Sequence, residues 1–491
     1  MVNQHRTIGR WDTLLEFTGR AADLALLDDQ LKLIIEGRAA NHGAAVIVTG
    51  RRRVGKSRLV QEFCDRSGLP YMIFQATLGL PAAIERAELA AAIGRSTLPG
   101  ADLVAGLQAT NWLQALRVLA AAIPDSQPSI VVIDEVPWLS AQDRSFEGAL
   151  QTAWDRDLSA KPILLILVGS DLSAMDALTS YGRPFFGRAP KMTVSPLHLG
   201  DVAAMTGLGA VDAIDALLLT GGFPEITQSW SPGMTRRDFL RESLSSPLSP
   251  FLAAGELTIS SEFPGTTSTY AVLRAIGGDE RTFTAIAQYA GGDAPMSPGT
   301  LTPVIRTLLA KKVLAVDHPL SLKTDNRNKR YRIADPYLRC WLGVLADVLP
   351  LSERGRGDIA LDLIERAWPA FRGHAVEPVV RESLLRLMPD TDWPQTGAIG
   401  SWWNRQNNPQ IDVVGADRMP LTKRIDFIGS IKWYEEKPFG TREYNQLARD
   451  AIEVPGVTHD TPLVAVSRSG FADNVSLAAT WAPEDLLRAW Q

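Results

Sequence analysis

Four short runs of nearly continuous apolar residues mark the first part of the chain: Ala44 to Thr49, Tyr71 to Gln75, Ser129 to Ile133 and Ile163 to Val168. Continuous rather than alternating apolar character is the pattern of parallel strands buried on both faces. Helical patterns separate the runs, as βαβ crossovers require. The pattern predicts an α/β domain over residues 1–197. A mostly helical segment follows, over 198–257, and Pro247, Pro250 and Pro264 mark a linker after it. From 258 to 345 the pattern reads as three helices and a two-stranded section. Beyond 346 a helix around Glu377 precedes two β-rich runs, Gln410 to Val414 and Arg424 to Lys432, which predicts a further α/β unit.

A length of 491 residues fits two to four domains. The formal net charge of −5 gives the chain as a whole no attraction to nucleic acid, so any DNA-binding surface has to be a local basic patch. Two cysteines, Cys64 and Cys340, make neither a zinc motif nor a disulfide framework and point to a reducing, cytoplasmic setting. Met1 to Arg10 are polar and lead into no apolar stretch, so no signal peptide is expected. The longest apolar strand-like run is far too short to span a membrane, and no membrane partner is expected.

The chemistry begins after the first apolar run. Gly50-Arg51-Arg52-Arg53-Val54-Gly55-Lys56-Ser57 matches G-x-x-x-x-G-K-[ST] completely, between a strand and a helix expected over Ser57 to Phe63. Gly50, Arg53, Val54, Gly55, Lys56, Ser57 and Arg58 would surround a triphosphate with backbone N–H groups at a helix N-terminus. Lys56 would reach the β- and γ-phosphates and Ser57 would hold Mg²⁺, making ATP and Mg²⁺ the expected ligands. The third run ends in Asp134-Glu135. Asp134 fits the second Mg²⁺ carboxylate, and Glu135 the group that orients or deprotonates the attacking water. Ser170, after the fourth run, would sense the γ-phosphate or position water. The alternative for it is a helix cap, a role that Ser and Asp both favour.

The order of these motifs resembles the archaeal-type ATPases of the AAA+/STAND superclass. The resemblance extends to Phe17-Thr18-Gly19-Arg20, Tyr181-Gly182-Arg183 and Gly221-Gly222-Phe223-Pro224. It implies that Gly19 and Arg20 lie near the adenine, that Pro224 of a helical lid approaches the nucleotide, and that Arg183 or Arg188 serves as an arginine finger. A finger supplied by a neighbouring subunit would require an oligomer. The resemblance also implies a winged helix-turn-helix over 258–345. Ser297-Pro298 makes a capped start for its third helix, and Lys323, Arg327, Lys329 and Arg330 form a basic wing suited to DNA phosphates. The alternative for the wing is a solvated face or a protein-packing module.

Tyr331 to Tyr337 resembles the junction into a restriction-endonuclease-like domain. Glu377, Asp412 and Lys432 match three of its Mg²⁺-site elements, but Ser430 stands where a fourth, acidic residue belongs. On one strand face the next carboxylate, Asp426, lies about 13 Å away. A weakened or inactive nuclease is expected, in which these residues are a remnant. Trp402, Trp403 and Trp433 are expected in the core rather than stacking on bases. The expected function is an ATP-hydrolysing conformational switch acting on DNA. The rival expectations are a STAND-like scaffold that recruits protein partners and an active ATP-regulated nuclease.

Overall fold

The computed structural model describes residues 17–263, 267–323 and 328–491, in two compact units, 1–195 and 196–491. Met1 to Arg10, Pro264 and Arg327 lie outside the described residues.

The first unit is built on a five-stranded, all-parallel sheet: β1 (Ala44–Thr49), β2 (Tyr71–Gln75), β3 (Ser129–Asp134), β4 (Ile163–Gly169) and β5 (Lys191–Thr193), in the order β2-β3-β4-β1-β5. Every residue of β3 and β4 is buried, which explains their unbroken apolar sequence. The short β5 carries lysine and threonine on either side of Met192 and has no apolar run to betray it. Because β4 lies between β1 and β3, the segments leaving the carboxyl ends of three adjacent strands come together. That is where an open parallel sheet binds its ligands.

The second unit opens with the helices Leu199–Thr206, Ala210–Thr220, Pro224–Gln228, Arg236–Ser245 and Pro250–Glu262. The last corrects the expectation of a linker. Pro250 sits in the first turn behind the cap Ser249, where a missing N–H costs nothing, so the proline starts a helix instead of breaking one. Gly221 and Gly222 both have positive φ, at 61° and 70°. A side chain at Gly221 would meet the backbone nitrogen of Tyr337 at 2.2 Å, and one at Gly222 the carbonyl oxygen of Leu197 at 2.1 Å. The Gly-Gly pair is therefore explained by packing inside this unit.

Next come the helices Thr267–Ile276, Phe283–Ala290 and Pro298–Ala310, with a three-stranded antiparallel sheet of β6 (Glu280–Arg281), β7 (Leu314–Asp317) and β8 (Arg330–Ile333), ordered β6-β8-β7. A 31-residue helix, Gly357–Leu387, leads into a mixed sheet of β9 (Ala398–Trp403), β10 (Gln410–Ala416), β11 (Ile425–Lys432), β12 (Leu463–Ser467) and β13 (Ala479–Trp481), ordered β13-β12-β11-β10-β9. β9, β10 and β11 pair antiparallel, and β11, β12 and β13 parallel. Trp402, Trp403 and Trp433 are buried.

The long helix ties this unit together. Arg372 donates to Asp215 at 3.3 Å, to Glu435 at 2.9 Å and to the Trp433 carbonyl at 3.4 Å. Arg236 donates to Glu365 at 2.9 Å and lies over the Trp368 ring. Near the C-terminus, the Trp490 indole donates to Ser383 at 2.8 Å and stacks on His198. Burial pushes the Asp215 carboxyl above its ordinary range, and the Arg372 charge opposes that. Arg372→Ala would strand this carboxylate, so we expect a loss of about 3–5 kcal/mol in denaturant titrations of the full chain. A loss under about 1 kcal/mol would mean that Arg372 is not what solvates Asp215.

Candidate functional site

The phosphate loop is preformed. Its helix runs over Lys56–Ser67, starting one residue before and ending beyond the expected span, and Gly68 in left-handed conformation closes it. Arg53 and Gly55 have φ of 66° and 88°, and left-handed turns of this kind gather backbone N–H groups into an anion-binding concavity. A side chain at Gly50 would meet the Val194 carbonyl oxygen at 2.4 Å, so the loop can leave β1 at this point only with glycine. Lys56 is buried and its Nζ donates to the carbonyls of Gly50 at 2.8 Å and Arg51 at 2.9 Å, spanning the loop. Burial pulls the ammonium below its usual pKa, while Glu135 and Asp134 favour the charged form. Arg58 is exposed and faces Glu62 at 3.7 Å.

Across the loop, Ser57 Oγ donates to Asp134 Oδ2 at 2.7 Å, and the other Asp134 oxygen accepts from the Glu135 N–H at 2.8 Å. A hydroxyl and a carboxylate so close form a pair of hard oxygen donors, and this set suits Mg²⁺. Glu135 itself has φ 55° and starts the helix Val136–Gln142. Ser170 Oγ lies 2.8 and 2.9 Å from the two Glu135 carboxylate oxygens, and the Ser170 N–H adds a contact at 3.3 Å. The structure thus places Ser170 against Glu135, and the cap of the next helix is Asp171, which accepts from Ala174 N at 3.0 Å. Gly169 permits this approach, since a side chain there would meet Met175 at 2.5 Å and Pro137 at 2.8 Å.

Arg20 has a role the sequence did not suggest. Its buried guanidinium donates to the Val54 carbonyl and to the Ser195 carbonyl, both at 2.6 Å, and to Asp23 at 3.0 Å. It braces the phosphate loop from behind, next to Gly19 at φ 80°. The two finger candidates are engaged: Arg183 with Glu147, and Arg188 with both oxygens of Asp155 at 2.8 and 2.7 Å. As they stand, neither presents a free guanidinium, and the acids that hold them come from a helical stretch where the sequence gave no sign of a partner. Pro224 belongs to the second unit, at the start of the helix Pro224–Gln228.

In the second unit the nuclease-like residues do come together. Asp412 Oδ2 accepts from Ser430 Oγ and from the Ile431 N–H, both at 2.9 Å, and Lys432 Nζ lies 3.9 Å away. The pairing of β9 with β10 shifts register between Ile411 and Val414, around Asp412. Glu377 faces Arg381, one helical turn on, at 3.1 Å. Burial acts to raise the Glu377 carboxyl, but His374 and Arg381 outweigh it and hold it below the usual range. Asp426 is occupied elsewhere, accepting from Thr396 at 2.7 Å.

The basic wing needs correction. Lys323 is exposed, and Lys329 lies over the Tyr331 ring. Arg330 is interior: it donates to Gln410 and Asn407 at 2.9 Å, lies over the Trp403 ring and faces Glu280 at 3.6 Å. A guanidinium committed to four partners cannot serve a DNA phosphate. It reads as part of a basic run only because the sequence does not show which side of β8 is covered.

A family model described as archaea bacterial proteins of unknown function (DUF234) matches residues 341–444. An uncharacterized protein of Methanocaldococcus jannaschii is 22% identical over 428 residues, covering 86% of this chain and 90% of that one. Among solved structures, the chain is similar to a Walker-type ATPase of Pyrococcus abyssi, with TM-score 0.49 and 18% identity over 66% of this chain and 96% of that one. It is also similar to the ORC2 protein of Aeropyrum pernix, with TM-score 0.43 and 14% identity over 73% and 97%. No single helix among the described residues is long and apolar enough to cross a membrane.

Arg20→Ala removes one charge-assisted bond to the back of the loop, at Val54, and one that ties it to Ser195, and no group from the phosphate side. With such bonds worth about 1.5–3 kcal/mol each, ATP affinity should fall at least roughly tenfold in a titration with a fluorescent analogue. Unchanged affinity would show that the loop holds its shape without the brace.

Proposed function

We propose that this chain is an ATP-hydrolysing switch. The observation that carries the reading is the convergence of Lys56, Ser57, Asp134, Glu135 and Ser170 at the carboxyl ends of three adjacent strands, with Ser57 bonded to Asp134 and Ser170 to Glu135. The loop N–H groups and Lys56 bind and orient the triphosphate, and Glu135 accepts the proton of the attacking water. Mg²⁺ held by Ser57 and Asp134 would neutralise charge on the phosphates. The Ser170 bond holds Glu135 in a defined position, so the carboxylate must exchange that partner for water before it acts. The resemblance adds Pro224 as a lid contact and Gly19 as a base contact.

DNA is the target we infer, through the three-helix module of 258–345 read as a winged helix. Among the described residues of this module, Arg306, Lys312 and Lys323 are exposed cations. The withdrawal of Arg330 from the surface favours a second reading, a nucleotide-dependent scaffold that recruits a protein partner. Both readings share the same ATP site.

Lys56→Ala should abolish ATP binding. Glu135→Gln should keep binding and lower turnover by about 10²- to 10⁴-fold, measured as phosphate release. Normal turnover in Glu135→Gln would refute its role as base. Under the first reading DNA accelerates phosphate release, and Lys312→Glu with Lys323→Glu removes the acceleration. Turnover indifferent to DNA would favour the scaffold.

A further inference from the structure

The Glu377–Asp412 centre has the acids of a Mg²⁺ site but not their freedom. Arg381 projects from the same helix as Glu377. One of its nitrogens donates to Glu377 Oε2 and to the Asp412 backbone carbonyl, both at 3.1 Å, and the other lies 3.8 Å from Glu280 Oε1. Its side chain is 12% exposed, and those of Glu377 and Glu280 are each 10% exposed. One Asp412 carboxylate oxygen, Oδ2, already accepts from Ser430 and Ile431. A hard divalent ion wants six or more oxygen ligands and is repelled by a guanidinium within contact distance. Among the described residues, no three His, Cys, Asp or Glu side chains are grouped to hold a metal.

The centre is also covered on one side. The β7–β8 connection docks on the C-terminal sheet, where the Leu320 N–H donates to the Ser401 carbonyl at 2.8 Å and Leu320 joins the core with Ala398 and Trp402. Asn328 and Trp403 exchange hydrogen bonds at 2.9 and 3.0 Å. The remaining cavity, lined by Glu280, His374, Glu377, Asn407 and Gln410, is about 250 Å³. That is below the size of ordinary ligand pockets, roughly 300–1,000 Å³, and Asp412 does not line it.

We propose that Arg381 is a built-in replacement for the metal, and that the former nuclease centre is an ion lock. In this lock Glu377, Arg381, Glu280 and Arg330 fasten the β6-β8-β7 sheet to the C-terminal sheet. Glu280 is the shared residue, reached from one side by Arg381 and from the other by Arg330. The lock is independent of the ATPase reading, because none of its residues lies in the first unit.

The test uses the full chain without nucleotide, carrying Asp134→Asn so that the phosphate loop does not report metal. Its melting temperature should be the same in EDTA and in millimolar Mn²⁺. Arg381→Met should melt lower by roughly 5 °C or more, as expected when a buried charge loses its partner, and Arg381→Lys should recover most of the loss. Bound Fe²⁺ with ascorbate and peroxide, which cuts a chain beside a bound ion, should leave the Asp412 region intact. A Mn²⁺-dependent rise of several degrees in the Arg381 protein, cleavage beside Asp412, or an Arg381→Met protein as stable as its parent would each overturn the proposal. Should Arg381→Met fail to fold, Arg381→Lys and the cleavage map decide.

Discussion

A carboxylate withdrawn from water must find a donor inside the protein, and that requirement organises both units. Asp134 is solvated by Ser57 and the Glu135 N–H, Glu135 by Ser170, Asp215 by Arg372, Glu377 by Arg381, and Asp412 by Ser430 and Ile431. An unpaired charge at any of these places would cost several kcal/mol. The phosphate-site acids of the first unit differ from Asp215 and Glu377 of the second in the kind of donor. At the phosphate site of the first, hydroxyls and two N–H groups hold Asp134 and Glu135, and these are groups that a phosphate, a cation or a water can displace or join. In the second, guanidinium groups hold Asp215 and Glu377, and a fixed positive charge leaves no role for a metal.

The same contrast separates a site from a fastening. Lys56 and Ser57 lie at the end of a buried strand, where the chain turns under constraint: Gly50 against Val194, left-handed Arg53 and Gly55, and Arg20 behind Val54. Such a loop is ordered before its ligand arrives, so binding loses little to ordering. Arg381 and Arg330 instead complete a network of ion pairs and hydrogen bonds among the protein's own groups. The first unit keeps its polar groups poised, and the second consumes them in joining its helices and sheets.

The limits of reading the chain follow from this. The parallel strands were legible because burial on both faces leaves an unbroken apolar signature, and the phosphate loop because its glycines and lysine are close in sequence. Short β5 was not legible, nor were β9, β12 and β13, because their pairing partners are set by register across distant segments. Arg381 stands four residues after Glu377, a spacing that puts both on one helix face. That was the available clue, and it points to a partner without saying that the partner displaces a metal. Arg330 looked like part of a basic surface because charge is visible in a sequence and cover is not.

By itself, then, the sequence determined the local matters: the strand–loop–helix with its phosphate-binding signature, the acidic end of β3, and a serine at 430 where the resemblance to nucleases expects an acid. These depend on residues within a turn or two of one another. Tertiary structure alone decided which charges remain available. It set Ser170 on Glu135, bound Arg183 and Arg188 to acids from another stretch of chain, turned Arg330 inward and placed Arg381 between Glu377, Asp412 and Glu280. The reason is physical: a side chain's charge is fixed by its chemistry, but its partner and its exposure are fixed by whatever the fold brings within about 4 Å.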